Sequence, residues 1–235
     1  MIVSAFVLVL LAKVSSSVYQ QYRRPDPISK VEGCPGEPST NNPIGYSGGS
    51  RPEEEGFQPI NDPHYDVVKN QRGDGYEAIS VSSPNEHLAG FCQAIDPQQA
   101  KLAMTNGWTL VVEFEALKGI TFANIDLGTR FDANETIPDG QHVFTLATAI
   151  IPKLDGPQFD VTPGRRKFAL DYDANRGTAS LAIDDLTKHR GYGGHHQYAV
   201  GNVAPHLNWG VQPFLGDTVG QGRCWSVRFE IKRKR

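Results

Sequence analysis

Residues 167–185 read KFALDYDANRGTASLAIDD, and this stretch decides the fold class. Apolar side chains occupy every second position before the turn residues 174–177 and again after them. The alternating apolar residues are Phe168, Leu170, Tyr172, Ala179, Leu181 and Ile183. Because successive side chains of a strand point to opposite faces, this period predicts two strands that each bury one face. The stretch therefore predicts a β-hairpin.

The same period of two recurs on both sides of this hairpin. Residues 108–117 read WTLVVEFEAL and residues 225–231 read WSVRFEI, each with one predicted apolar face. Residues 120–131 and 142–151 are further predicted strands, whereas residues 97–104 give the one helical pattern. Many strands separated by Gly, Pro, Asn and Asp turns predict an all-β fold, either an antiparallel sandwich or a barrel.

Composition excludes several broad classes of protein. The chain has 235 residues, 39% of them hydrophobic, with a formal charge of 23 − 26 = −3. That size can bury one substantial core. A dedicated nucleic-acid binder usually carries a clustered basic excess, so no nucleic-acid partner is expected. No run reaches the roughly 18 apolar residues of a membrane-spanning helix.

Four regions differ in composition. Residues 1–17 hold a short apolar run followed by serines, which predicts a secretory signal peptide; a short anchor or a buried strand is the alternative. Residues 18–73 hold eight of the sixteen prolines and no apolar period, which predicts an extended Pro/Gly-rich arm. Residues 74–232 are the predicted sandwich, and residues 233–235 are a basic tail.

Secretion into an oxidising compartment bears on the three cysteines. Cys92 lies near the start of the predicted sandwich and Cys224 in its last strand, and such strands often lie side by side. We therefore expect a Cys92–Cys224 disulfide, which stabilises by about 5 kcal/mol on the chain-entropy model. Cys34 is then left over or pairs between chains, and in a reducing compartment all three cysteines stay thiols.

One family resemblance is visible in the second half of the chain. The stretches KFALDYDANRGTASLAIDD, GYGG and WGVQPFLGDTVGQGRCWSVRFEI resemble the second half of a concanavalin A-like lectin/glucanase domain of laminin G type. The stretch WTLVVEFEAL resembles the first long core strand of that superfamily, so the resemblance covers about residues 75–232. The resemblance implies an antiparallel two-sheet jelly-roll sandwich. Because these motifs mostly encode hairpins, it implies this fold more than an activity.

Catalytic carboxylates are the first functional test. Glycoside hydrolases need two carboxylates about 5 Å apart, and the related glucanases place them on one strand as Glu-x-Asp-x-Glu or Glu-x-Asp-x-x-Glu. Glu113 and Glu115 lack the central Asp and the third acid, while Asp171 and Asp173 flank a predicted turn. Solvated side chains on an outer face are the better interpretation for both pairs. Hydrolase, zinc-protease and phosphate-loop motifs are absent from the sequence, so it does not predict an enzyme.

A glycan site is predicted within residues 191–209, where glycines stand among aromatic, imidazole and amide side chains. Sugars suit that mixture because they present C–H patches beside hydroxyls. The predicted ligand residues are Tyr192, His195, His196, Tyr198, Asn202, His206, Asn208 and Trp209. The alternative is an ordinary connection in which Tyr198 and Trp209 belong to the core. Adjacent histidines of a strand point to opposite faces, which disfavours a zinc site.

Three features bear on cofactors and processing. Calcium is the cofactor that the aspartates allow, without a fixed ligand spacing; the residues are Asp155, Asp160, Asp184, Asp185 and Asp217. Asn134 begins the glycosylation sequon Asn-Glu-Thr. The basic run 232–235 is by default a solvated end, with an acidic-polysaccharide contact or a dibasic processing site as alternatives.

These observations favour a secreted, non-enzymatic recognition domain that binds glycan or glycosylated extracellular matrix. The alternative is a structural protein that forms homo-oligomers through its N-terminal arm. A divergent polysaccharide-cleaving enzyme is the weakest of the three hypotheses.

Overall fold

The computed structural model describes ten separate ranges of the chain. They are residues 34, 36–60, 71–72, 75–81, 89–127, 141–148, 164–193, 195–197, 204–212 and 219–234, all in the unit Val31–Arg235. The strands are β1 (Ile44–Tyr46), β2 (Gln58–Ile60), β3 (Gln71–Arg72), β4 (Gly75–Val81), β5 (Ala89–Ala94), β6 (Trp108–Lys118), β7 (Ile120–Asp126), β8 (Gln141–Thr148), β9 (Arg166–Asp173), β10 (Thr178–Ile183), β11 (Leu186–Tyr192), β12 (His195–Gln197), β13 (His206–Gln212) and β14 (Val219–Ile231). The helices are a 3-10 helix (Pro52–Glu55) and α1 (Pro97–Asn106).

The strands form two antiparallel sheets. One has eight strands in the order β11-β10-β9-β6-β14-β4-β3, with β1 also paired to β14. The other has six strands in the order β12-β8-β7-β13-β5-β2. The predicted hairpin is confirmed, because β9 and β10 pair with Asp173 opposite Thr178. The predicted all-β sandwich is therefore confirmed as well.

The core lies between the two sheets. Strand β6 buries alternate residues, as its sequence predicted; these are Trp108, Leu110, Val112 and Phe114. The Trp108 ring stacks on Tyr172 at a centroid distance of 5.4 Å and meets Phe144 edge-on at 5.0 Å. Tyr172 belongs to β9 and Phe144 to β8, so one indole joins the two sheets.

The predicted helical turn is confirmed as α1, which begins at Pro97. Proline suits the first helical position because its missing N–H needs no partner there. The Asp96 carboxylate caps the helix by accepting hydrogen bonds from the backbone N–H groups of Gln98 and Gln99, at 2.9 and 3.2 Å. Gly107 follows the last turn with a φ of 84°, and α1 thereby leads directly into β6.

Strand β14 departs from the predicted alternation at a β-bulge. Its register against β6 shifts between Cys224 and Ser226, which makes Trp225 the extra residue. The predicted common face for Trp225 and Val227 is therefore wrong. Val227 is buried in the core, whereas Trp225 is half-buried, with its ring centroid 4.9 Å from the guanidinium carbon of Arg165.

Residues 36–60 belong to the sandwich, which corrects the predicted extended arm over that part of the chain. Strand β1 pairs with β14 in the eight-stranded sheet, and β2 pairs with β5 in the six-stranded sheet. Tyr46 stacks on Trp209 at 5.5 Å, and Phe57 meets the same indole edge-on at 6.5 Å. The segment thus contributes one strand to each sheet and two rings to the core.

The turn between β10 and β11 consists of Asp184 and Asp185, with φ angles of 49° and 64°. Two consecutive positive φ values are typical of a type I′ hairpin turn, which Asp tolerates. Asp184 accepts hydrogen bonds from the backbone N–H of Lys167 at 3.1 Å and from Arg166 at 2.7 Å. These bonds, the backbone one first, lower the pKa of Asp184. Lys167 Nζ donates to Asp185 at 2.9 Å.

The disulfide joins Cys34 to Cys92, with their Cα atoms 5.7 Å apart, and Cys224 is a free, buried thiol. The predicted Cys92–Cys224 pairing is therefore wrong. Cys92 lies in the six-stranded sheet opposite Asn208, on the face turned away from the core. Cys224 belongs to the eight-stranded sheet and faces the core, so the two sulfurs cannot meet.

We expect no reactive thiol in the folded protein and one after unfolding. Burial raises the pKa of the Cys224 thiol well above its usual value, because an apolar environment penalises the thiolate. The raised pKa means that the protonated thiol contributes to the free energy of unfolding. This contribution is fully present below the unfolded thiol pKa of about 8.5 and is lost as the pH rises through the folded pKa. Titration with a thiol-specific reagent, with and without denaturant, measures both states. Three reactive thiols in denaturant would contradict the Cys34–Cys92 disulfide.

Candidate functional site

Four polar side chains lie together on the face of the six-stranded sheet that is turned away from the core. They come from the paired strands β7 and β13, and we call them the polar quartet: Asn124, Asp126, His206 and Asn208. Asp126 is opposite His206, and Asn124 is opposite Asn208. Side chains opposite each other in an antiparallel pair have Cβ atoms about 4.5–5.5 Å apart. The quartet therefore forms one compact group.

Strand alternation accounts for this placement. Ile125, Leu207 and Trp209 belong to the core cluster, so their neighbours along β7 and β13 point to the opposite face. The outer face of a two-layer sandwich is usually solvated, yet the quartet residues are only 1–5% exposed. Polar side chains at that burial need hydrogen-bond partners, and the amide oxygens of Asn124 and Asn208 have none among the described residues. This makes the quartet the strongest candidate for a ligand site.

His206 has an orientation fixed by the backbone. Its Nδ1 is 2.9 Å from the carbonyl oxygen of Ala204. A carbonyl oxygen only accepts, so Nδ1 carries the proton, and neutral His206 keeps an unprotonated Nε2. Asp126 lies directly opposite and supplies carboxylate oxygens. These two side chains can accept hydrogen bonds from hydroxyl groups, or exchange a proton with a bound molecule.

The amide oxygens of Asn124 and Asn208 are the clearest sign of a ligand. Both oxygens are buried, and neither has a hydrogen-bond partner among the described residues. A buried acceptor without a partner costs about 1–3 kcal/mol. Two such acceptors lie on facing strands, so a ligand or an ordered water that supplies donors would satisfy both of them.

The register position shared by Asp126 and His206 continues across the neighbouring strands of the sheet. Asp126 of β7 is opposite Val143 of β8, and Val143 is opposite His195 of β12. His195, Val143, Asp126 and His206 thus lie at one level across four adjacent strands. The backbone therefore aligns two of the predicted ligand residues, His195 and His206.

The disulfide is anchored at this same face. Cys92 is opposite Asn208 in β13 and opposite Gln58 in β2. Gly36 lies against the Gln58 side chain. The bond from Cys92 therefore holds Cys34 beside the polar quartet.

Two predicted ligand residues lie in the core instead of a surface loop. Trp209 is 2% exposed and contacts Tyr46, while Tyr192 is 5% exposed and meets Phe144 edge-on at 5.7 Å. The predicted loop over residues 191–209 contains β12 and most of β13. The prediction that Tyr192 and Trp209 are ligand residues of a surface loop is therefore corrected, because both rings pack in the core.

The remaining predicted ligand residues divide between the sheet and the undescribed ranges. Asn208 and His206 belong to the quartet, and His195 and His196 lie in β12. Tyr198, Asn202, the sequon residue Asn134 and the aspartates 155, 160 and 217 lie outside the described residues, as does the predicted signal peptide over 1–17.

The carboxylates of the eight-stranded sheet hold basic side chains. Glu113 pairs with Arg165 at 2.6 Å and Glu115 with Arg223 at 3.0 Å, both partly exposed on the outer face. Asp171 pairs with Lys232. The calcium candidates Asp184 and Asp185 are likewise engaged by Arg166 and Lys167, as the turn geometry shows. In the described ranges, no group of three metal-ligating side chains is placed to hold an ion.

Sequence reasoning missed Asn124 and Asp126. They alternate with apolar residues in a strand that was predicted over residues 120–131, and this pattern looks like an ordinary solvated face. The available signal was their position in register with polar residues of β13, but a single sequence does not reveal which strands pair.

No protein-family model and no curated protein matches the chain. Similar solved structures include a conserved carbohydrate esterase from the Shiga toxin-encoding bacteriophage phi24B, at 11% identity and TM-score 0.49, over 77% of this chain and 92% of the esterase. The Crh5 transglycosylase in complex with NAG is 10% identical at TM-score 0.49, over 89% of this chain and 92% of its own. An alginate lyase of polysaccharide lyase family 7, AlgAT5, is 10% identical at TM-score 0.42, over 71% and 82%. No functional conclusion follows from likenesses this distant.

No helix within the described ranges has the length and apolarity that crossing a membrane requires.

Proposed function

We propose that this protein binds a carbohydrate and that the polar quartet holds hydroxyl groups of the ligand. The observation that carries the proposal is the pair of buried amide oxygens of Asn124 and Asn208, without a partner among the described residues. Saccharide hydroxyls both donate and accept, so one ring can donate to both amide oxygens and also reach the imidazole. Removal from bulk water strengthens each of these hydrogen bonds.

The proposal includes recognition outside the cell, of a glycan or a glycosylated matrix component. The Cys34–Cys92 disulfide supports it, because such cross-links persist in oxidising compartments. Residues 36–60 pair within their own sandwich, so they give no support to the alternative of an arm that docks on neighbouring copies.

Replacing Asn124 and Asn208 together by leucine tests the quartet. We expect glycan affinity to fall by about a hundredfold, because the amide oxygens no longer accept from the ligand. The melting temperature should not fall, because two unpartnered buried acceptors give way to apolar side chains of similar size. A glycan array identifies the ligand, and isothermal titration calorimetry then measures affinity beside a thermal melt.

Asn41→Leu with Asn175→Leu is the matched control, because both asparagines are exposed. This control should bind like the wild type. Unchanged glycan affinity in N124L/N208L would show that the ligand binds elsewhere. A large drop in the melting temperature of this variant would show that the two amides stabilise the fold.

Catalysis is the second candidate function, and the facing of Asp126 and His206 favours it. A carboxylate beside an imidazole with a free Nε2 can act as a general acid–base pair. The same binding samples, incubated and separated by size, distinguish the two functions. Intact glycan after prolonged incubation supports recognition, whereas shortened fragments that disappear in His206→Gln establish cleavage.

A further inference from the structure

Strand β11 is exposed along nearly its whole length. Its first six residues, 186–191, are all exposed, and only Tyr192 at its end is buried. β11 is the edge of the eight-stranded sheet in the described structure, with β10 as its neighbour. Six strand residues extend about 20 Å at roughly 3.3 Å each. This edge therefore presents a long surface that the sandwich itself does not use.

The exposed surface carries a surplus of positive charge. Lys188 and Arg190 are exposed, form no ion pair with a described carboxylate and have His189 between them. The nearby acids, Asp184 and Asp185, are already paired with Arg166 and Lys167. The neighbouring strand β10 reads TASLAI and contains no acid. Lys188 also interacts electrostatically with Asp184. On β11 and around the turn, four cations (Arg166, Lys167, Lys188 and Arg190) stand against the two acids Asp184 and Asp185, so a surplus of 4 − 2 = 2 positive charges remains.

Strand geometry decides how a partner can contact this edge. The register between β10 and β11 shifts twice, between Ala179 and Ser180 and between Leu181 and Ala182. Such irregularities, together with Lys and Arg on an edge, oppose the addition of another strand. A peptide that extends the sheet is therefore disfavoured, and recognition has to use the projecting cationic side chains.

We propose that β11 binds an anionic polysaccharide through Lys188 and Arg190. A linear polymer with repeated carboxylate or sulfate groups can follow an exposed strand and place several anions along it without backbone pairing. This surface belongs to the eight-stranded sheet, whereas the polar quartet, with its two amides, carboxylate and imidazole, lies on the six-stranded sheet. The inference goes beyond the proposed function and does not depend on it.

The double variant Lys188→Gln with Arg190→Gln tests the proposal. Heparin oligosaccharides supply sulfate, polygalacturonate oligomers supply carboxylate, and dextran is the uncharged probe. We expect the wild-type protein to bind at least one charged probe, with affinity that falls as salt rises, and the double variant to bind it about tenfold more weakly. Binding of only one probe assigns the anionic group.

Lys101→Gln with Lys118→Gln is the matched control, because it removes the same charge from two other exposed lysines. It should bind like the wild type. If both double variants lose the same affinity for the charged probe, the effect comes from the net charge of the protein and the proposal is overturned. Polyglutamate bound as tightly as the charged sugars would assign the surface to acidic proteins instead. The β11 variant should keep the affinity of the wild type for any neutral glycan, so failure here leaves the quartet untouched.

Discussion

Replacing Trp209 by alanine is expected to lower the free energy of unfolding by about 3–5 kcal/mol. Its indole is buried and contacts three rings, Tyr46, Phe57 and Phe91, the last at a centroid distance of 4.9 Å. Two of these rings come from residues 36–60, so the substitution also loosens that segment from the sandwich. Urea denaturation followed by circular dichroism measures the change.

Trp225→Ala makes the same chemical change at a half-buried site and serves as the control. Trp225 packs against Arg165 at the bulge, and its loss should cost about 1 kcal/mol. Equal effects of the two substitutions would contradict the assignment of Trp209 to the core. A folded, equally stable W209A that fails to bind glycan would restore the predicted ligand role.

Removing the disulfide with Cys34→Ala and Cys92→Ala is the second large effect, about 4 kcal/mol. The two cysteines are separated by 58 residues, and a loop of that size gives this value on the chain-entropy model. The loss should be visible as a lower denaturant midpoint under non-reducing conditions. Reducing agent should shift the midpoint of the wild type toward that of the variant.

Cys224→Ala is the matched control, since it removes a buried sulfur but no cross-link. We expect it to cost about 1 kcal/mol and to leave the response to reducing agent intact. If reducing agent no longer shifts the denaturant midpoint of C224A, the disulfide involves Cys224, as in the predicted Cys92–Cys224 pairing.

Local pattern predicted most of the sheet framework. The alternation in residues 108–114 and 167–183 corresponds to buried faces in β6, β9 and β10, because each strand is long enough to show the period. The bulge at Trp225 was not predictable, since an inserted residue changes the phase without any signature in composition. Strands β1 and β2 have three residues each, too few for a period, and prolines around them gave the appearance of unstructured chain.

The candidate site depended on information that the sequence pattern does not contain. Asn208 was predicted to bind a ligand, but as part of a loop, whereas the structure places it in β13. Its partner Asn124 became visible only through the register of β7 with β13. The predicted Cys92–Cys224 disulfide was wrong for the same reason. The two cysteines belong to different sheets, and the assignment of strands to sheets depends on long-range contacts.

The pairing of β1 with β14 has a consequence for biosynthesis. Ile44 lies opposite Phe229, so one of the early strands meets its partner only when synthesis has reached the last strand. Until then β1 lacks the neighbouring strand that holds it in the sheet with Ile44 and Tyr46 in the core. Because such distant pairing is slow and leaves partly folded intermediates with exposed apolar surface, the sandwich closes only after β14 has been synthesised.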